Sequence, residues 1–284
     1  MTLEEKLLAL DVEGFYIEES VLSPMQAKEV HTSTKATLLG GAEKIFGSTF
    51  LNHNQSLAPY LANHKIMEVV RSILGPNSRI ISTSGNMSPP SPGAKSAPPG
   101  NLHVDWPWGQ SGASYIEGTL PNVVINLTTF WILTDFTRQN GATIVSPGTH
   151  KAGKNPNGYP ALKKARPTEI QVEAPAGSVL MFDGRLWHKG GTNRSTAPRI
   201  FWGVNYAPWW LNCHARRPRS VEHKIQSDAG HTPAGHWPYL RGEVHDLLPE
   251  QVRPLVRHWG DREWVMSKTE AEAAIWDFSY FRDQ

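Results

Sequence analysis

One cysteine in 284 residues, Cys213, leaves no partner for an internal disulfide. The fold must hold by packing alone, and the chain is expected in a reducing compartment, the cytoplasm. No apolar run approaches the roughly 20 residues that span a bilayer. The opening MTLEEKLLAL is acidic and amphipathic, not basic and then apolar, so neither a membrane segment nor a secretory leader is expected. Net charge is equally scarce: 28 basic side chains face 26 acidic ones, a formal +2 with histidine neutral. That excludes the basic stripe by which proteins displace counterions from nucleic acid. There is no internal repeat. What remains is a chain long enough for one large domain with a well-buried core, with a small molecule as the expected partner and a monomer or homodimer as the expected assembly.

The organisation changes along the chain. The first 75 residues read as helical: SPMQAKEVHTSTKATLL opens on Ser23-Pro24, a helix-start pair, and HKIMEVVRSIL stops at Gly75-Pro76. From about 79 to 210 the text turns to short β-rich segments, SRIISTSG, NVVINLTTFWIL, TEIQVEA, SVLMFD and RIFWGVNYA, each bounded by Gly, Pro, Asn or Asp. This part predicts a β-sandwich or barrel. From 211 to 284 a polar stretch rich in His and Arg leads to two further helical segments, LPEQVRPLVRHWG and KTEAEAAIWDF. Two Pro/Gly-rich stretches, Ser88 to Asn101 and Thr149 to Pro167, read as long loops of the kind that form lids or binding edges.

The first of these loops runs into NLHVDWPWGQ, where His103 and Asp105 stand one residue apart. On a β-strand both would point to the same face, about 7 Å apart along the strand, with Val104 on the other. A hydrogen-bonded structural pair is the plain alternative, so a third ligand is needed to read the pair as a metal site. His188, just after the strand SVLMFD, supplies it. Two histidines and one carboxylate on one face of a metal leave the opposite positions open, which suits Fe(II) oxygen chemistry. Arg199 begins the next apolar strand, and a guanidinium there is costly unless it grips a carboxylate through two parallel hydrogen bonds.

His103-x-Asp105, His188 and Arg199 together resemble the phytanoyl-CoA dioxygenase family of Fe(II)/2-oxoglutarate oxygenases. Three further stretches carry the resemblance, which runs from about Gly14 to Tyr206. DVEGFYIEESVLSPMQAKEV is similar to the family's opening strand and helix. LTDFTRQNGATIVSPGTHK is similar to its Leu-Thr-Asp … Asn-Gly-Ala … Pro-Gly-Ser-His segment, with Thr149 in place of the serine. APAGSVLMFDGRLWHKGG is similar to the strand that delivers the distal histidine. The resemblance implies a double-stranded β-helix (jelly roll) flanked by helices. It also implies Fe(II) held by His103, Asp105 and His188, with the distal carboxylate of 2-oxoglutarate on Arg199. Thr143 matches a position that touches the cosubstrate in some relatives; Val104 stands where certain relatives carry a polar residue, and that contact is absent. The implied reaction consumes O2 and 2-oxoglutarate, releases succinate and CO2, and oxidises a substrate C–H bond, most simply to an alcohol. The retained Asp105 argues against a halogenase, since related halogenases replace that carboxylate with Gly or Ala.

Several residues have plain readings as well as functional ones. Of 11 tryptophans, Trp131 and Trp202 lie among apolar strand residues and read as core. Trp106 and Trp108 follow the ligands on a loop, and with Trp187 they are candidate substrate contacts, by stacking or by facing a cationic group. His150 in PGTHK reads as holding its turn, and Asp183 with Arg185 as a structural ion pair. His214, His223, His231, His236 and His245 have irregular spacing without a ligand pattern. Cys213 reads as packing. Two alternatives to an oxygenase remain: a divalent-metal hydrolase, which leaves Arg199 unexplained and lacks the His-Glu-x-x-His helix, or a non-catalytic sensor of metal and 2-oxoglutarate. A CoA thioester would want the basic clusters at Lys163, Lys164, Arg166 and Arg216, Arg217, Arg219. The Trp-rich mouth favours a free small molecule, a specialised-metabolism intermediate or an amino-acid-like compound.

Overall fold

The computed structural model describes residues 1–40, 50–93, 102–105, 123–152, 156, 168–211, 221–228 and 240–256. The chain opens with α1 (Leu3–Val12), β1 (Phe15–Glu18), α2 (Pro24–Leu39) and α3 (His64–Leu74). Helix α2 starts where the sequence signals it. Ser23 caps the helix, Gln26 reaches back to the Ser23 N–H, and Pro24 fills the first turn, where its missing N–H costs nothing. Helix α3 is capped by Asn63 and ends at Gly75, whose φ of 88° is disfavoured for side-chain-bearing residues.

The strands are β2 (Arg79–Ser88), β3 (Leu127–Ile132), β4 (Ile144–Val145), β5 (Ile170–Gln171), β6 (Val179–Asp183), β7 (His188–Lys189) and β8 (Arg199–Ala207). They form two sheets, one in the order β1-β6-β3-β8-β2 and one in the order β5-β4-β7. Every pairing is antiparallel. This is the double-stranded β-helix. The central strands β6, β3 and β8 are buried on both faces and so read as nearly unbroken apolar runs, while the edge strands β1 and β2 are partly exposed. Alternation still sorts the side chains. Leu127, Trp131, Val179, Met181, Ile200, Trp202, Val204 and Tyr206 join the helices in the large core cluster. Ile132, Leu180, Phe182 and Phe201 face the other way, meeting Val145 and Val172 of the small-sheet side.

Trp202 anchors the outer face: its Nε1–H donates to Thr34 Oγ1 of α2 at 2.7 Å, and Phe50 meets its ring edge-on at 4.7 Å. The close approach requires Gly85, since a Cβ there would lie 2.5 Å from the Phe50 ring. The C-terminal α5 (Gly242–Leu247) and α6 (Arg253–Val256) pack Val244, Leu248, Val252 and Leu255 into the same cluster.

The otherwise helical first part contains β1, the opening strand that the resemblance implies, paired with β6. Other details differ from the sequence expectation. The polar stretch after residue 211 contains α4 (Val221–Asp228), supported by a Lys224–Asp228 ion pair one turn apart. Within LPEQVRPLVRHWG the described helix is only α6, while KTEAEAAIWDF lies outside the described residues. Among the described residues no helix is long and apolar enough to cross a membrane.

Candidate metal centre

His103 is not carried by a strand. It forms an isolated antiparallel bridge with His188, each residue's N–H donating to the other's carbonyl at 3.0 Å. Asp105 sits in a turn, fastened by its N–H to Gly184 O at 2.7 Å. The sides are nonetheless as alternation predicts, because Val104 packs with Leu102 and Trp187 in a small cluster of its own. The bridge brings the two histidines together although they are far apart in sequence, which a free His-x-Asp strand could not do.

The three side chains converge without bonding one another. His188 Nε2 lies 3.6 Å and His103 Nε2 4.0 Å from Asp105 Oδ1, and the imidazole centroids are 4.2 Å apart. The three ligand atoms all fall within 4.8 Å of one another. Those separations exceed a hydrogen bond and match donors sharing one ion, since ligand atoms at about 2.1 Å from a metal stand roughly 3–4 Å apart. His188 is buried, and its Nδ1 lies 3.0 Å from Leu186 O. Donating there leaves the Nε2 lone pair pointed at the centre. Burial, reinforced by the neighbouring His103, pushes the His188 pKa down to about 4, with Asp105 and the Leu186 bond opposing. The imidazole is therefore neutral and ligand-ready at pH 7.

A pH prediction follows for the metal-free protein. The folded His188 pKa lies below the unfolded value of 6.5, so between about pH 6.5 and 4 the unfolded chain binds a proton that the folded one does not. Stability is full above pH 6.5 and falls as pH drops through this window, by up to about 3 kcal/mol. Thermal midpoints across pH 4 to 7.5 check this, with His188→Gln expected to flatten the slope.

Arg199 begins β8 and is 2% exposed. Its Nη2 donates to Ser88 Oγ at 2.9 Å, and the guanidinium lies over the rings of Phe136 and Phe201 at 5.0 and 5.6 Å. Its Nε and Nη1 are buried with no partner among the described residues. Burial lowers its pKa to about 10, which still leaves it cationic at neutral pH. A buried cation with two idle donors has the chemistry to pair with a carboxylate.

Thr143 is buried directly before β4, the neighbour of β7, and its carbonyl accepts the Val172 N–H. Trp187 is 5% exposed and packed behind the ligands. Its N–H donates to Thr149 Oγ1, which in turn donates to Ser146 O, so the threonine keeps the hydroxyl of the family's serine. Trp106 and Trp108 lie outside the described residues, as do Cys213, His214, His231, His236 and both basic clusters. His245 packs on α5 beside Asp246. His150 holds its turn by bonding Asp11 O through Nε2. Asp183 and Arg185 form a buried ion pair with Nη2–Oδ2 at 2.6 Å, bracing the turn whose Gly184 carbonyl holds Asp105. Among the described residues His103, Asp105 and His188 are the only metal-competent cluster.

Sequence reasoning missed Ser82, Ser88, Thr128 and Asn205, which surround Asp105 and Arg199 with hydroxyl and amide groups. The signal was present: Ser82, Ser84, Asn86 and Ser88 alternate along β2, polar residues at period 2 in a strand that is buried in its first half and half-buried in its second.

Comparison with known proteins agrees with this geometry. Residues 13–201 match the family described as phytanoyl-CoA dioxygenase (PhyH). "Dioxygenase af480" of Aspergillus fumigatus is 32% identical over 139 residues, 47% of this chain and 38% of that protein. "Dioxygenase hkm4" of Aspergillus hancockii is 31% identical over 180 residues, 62% of this chain and 49% of that protein. The matched part thus spans less than half of either relative. The epimerase SnoN, solved with Fe3+, alpha ketoglutarate and nogalamycin RO, superposes with a TM-score of 0.56 at 17% identity, over 72% of this chain and 83% of that one.

Proposed function

Because the chain belongs to the phytanoyl-CoA dioxygenase family, we propose that it is an Fe(II)/2-oxoglutarate-dependent oxygenase acting on a C–H bond of a small organic molecule. The observation that carries this reading is the pairing of a three-donor centre with a buried, half-idle guanidinium on the same sheet face. A hydrolase needs the first and has no use for the second. Two imidazoles and one carboxylate suit a divalent first-row metal with open positions, so His103, Asp105 and His188 would hold Fe(II). When bound, the iron supplies activation of O2 coupled to decarboxylation of 2-oxoglutarate, with the balance R–H + O2 + 2-oxoglutarate giving R–OH, succinate and CO2.

The chain's own residues do the placing. Arg199, with Nε and Nη1 unpaired among the described residues, would receive the distal carboxylate of the cosubstrate on its guanidinium, which Ser88 orients through Nη2. Phe136 and Phe201 keep water from that ion pair, which strengthens it. Phe182 stands 4.7 Å and Phe130 6.2 Å from the His188 ring, walling the buried side, so substrate approaches from the side of His103 and Asp105, the more exposed ligands. Trp106 and Trp108, which directly follow these ligands in sequence, would be the stacking residues for a flat or bulky substrate. A free small molecule, such as a specialised-metabolism intermediate, is the reading favoured over a CoA thioester, and the fold's likeness to a protein solved with a bound nogalamycin compound is in keeping with it.

The test is anaerobic addition of Fe(II) and then 2-oxoglutarate. A weak visible band from the iron-chelated keto acid is the expected result, followed by a substrate screen read as succinate release. Folded, iron-loaded protein that develops no band would return the choice to the hydrolase or sensor.

A further inference from the structure

The Asp105 carboxylate has two oxygens, and only Oδ1 faces the imidazoles. Its Oδ2 is 2.7 Å from Thr128 Oγ1. That hydroxyl is also 2.6 Å from Asn205 Oδ1 and 3.3 Å from Asn126 Oδ1, yet it has one proton to give. As a metal ligand Asp105 is ionised, and a charged acceptor outcompetes a neutral amide, so the proton belongs to Oδ2. Asn205 Oδ1 would then meet Thr128 Oγ1 lone pair to lone pair at hydrogen-bond distance. A half-turn of the Asn205 amide exchanges its oxygen and nitrogen without moving the side chain. The amide N–H then donates to Thr128, and the amide oxygen accepts from Ser82 Oγ, 2.8 Å away. Asn126 is fixed the other way round, because its Nδ2 donates to Tyr206 O.

We propose that Ser82, Asn205 and Thr128 form a one-way chain of donors ending on Asp105 Oδ2, with Thr128 as the positioning residue that makes Asp105 a one-oxygen ligand. The inference rests on the metal reading above. The sheet register supplies the chain, since Ser82 pairs with Asn205 on β8 and Asn205 with Thr128 on β3. The three polar groups thus form a row across the inner face, one rung from the ligands. Ser82 starts the chain as a donor, and Asn205 and Thr128 each accept and donate in the same direction, so the dipoles add at the carboxylate. With Oδ2 held by Thr128, Asp105 would offer a bound metal only Oδ1. Asp105 itself is on a turn, where its N–H donates to Gly184 O, and the bond from Thr128 adds a grip on the side chain itself.

The experiment is Co(II) titration of metal-free full-length protein, followed by visible absorption, for wild type, Thr128→Val and Thr128→Ser, with the thermal midpoint of each. Thr128→Val, which keeps the shape and loses the hydroxyl, is expected to bind Co(II) about 10-fold or more weakly with an altered band envelope. Thr128→Ser, which loses a methyl and keeps the hydroxyl, is expected within about threefold of wild type with the wild-type envelope. A packing role gives the opposite order and overturns the proposal, as does wild-type affinity in Thr128→Val. Should Thr128→Val not fold, Asn205→Ala carries the same test through the donor behind Thr128, with severalfold weaker binding expected and unchanged binding counting against. Wild-type protein that takes up no Co(II) overturns the metal reading itself.

Discussion

Replacing Asp105 with alanine is expected to weaken Fe(II) binding by at least about 100-fold and to abolish 2-oxoglutarate-dependent succinate release, while leaving the metal-free protein folded. The carboxylate is the centre's only anionic donor: both other ligands are imidazoles, and His188 is neutral at pH 7 because burial holds its pKa near 4. Without Asp105 the ion keeps two ligands, too few to hold it. The fold should not notice. The Asp105 N–H still reaches Gly184 O, and the side chain is about a quarter exposed with one strong hydrogen bond, from Thr128. Losing that bond costs about 1–2 kcal/mol. Asp105→Asn keeps one carbonyl oxygen and should fall between the two. Calorimetric Fe(II) titration under anaerobic conditions separates affinity from activity, and an unchanged dissociation constant in the alanine variant would remove Asp105 from the ligand set.

Much of the fold was legible because its signals are local. The Ser23-Pro24 start of α2, the Gly75 stop of α3 and the nine-residue run of β8 all rest on neighbours in sequence. Elements stabilised from a distance were harder to read. Strand β1, four residues long and laddered to β6, was implied by the resemblance and not by its own pattern, while β4, β5 and β7 are two residues each, too short for a period to register. Helix α4 falls in a polar stretch with little apolar face, and short helices of that kind depend on context more than on pattern.

The candidate ligand set was readable for a different reason. His103, Asp105, His188 and Arg199 were readable as chemistry plus resemblance, since spacing alone left a structural pair open. Their support was not legible. The bridge between His103 and His188 joins residues remote in sequence, and Thr128 and Asn205 become neighbours only through the register of β3 on β8. Trp187 shows the converse. Its place beside His188 in sequence suggested the substrate side, but β7 turns His188 toward the centre and Trp187 toward Leu102 and Val104.

Arg199→Met should raise the 2-oxoglutarate dissociation constant by roughly 30-fold to more than 1000-fold, the range expected from about 2–5 kcal/mol for truncating a buried hydrogen-bonded charge pair. It should shift Fe(II) affinity by less than about threefold, since Arg199 touches none of the metal ligands. Methionine is chosen because it fills the slot between Phe136 and Phe201 without charge. The sign of the stability change is the sharper expectation. In the absence of cosubstrate, Arg199 is a buried cation whose Nε and Nη1 have no partner among the described residues, and removing such a charge is neutral or stabilising. The variant should therefore melt at the same temperature as wild type or higher when cosubstrate is absent. Wild type should gain about 2.7 kcal/mol from cosubstrate at 100 times its dissociation constant, and the variant almost none. Arg199→Lys keeps a charge but not the two-pronged grip, so it should recover only part of the affinity. Paired melting curves with and without Fe(II) and 2-oxoglutarate read all of this at once. A variant stabilised by cosubstrate as strongly as wild type would assign the anchoring to another cation.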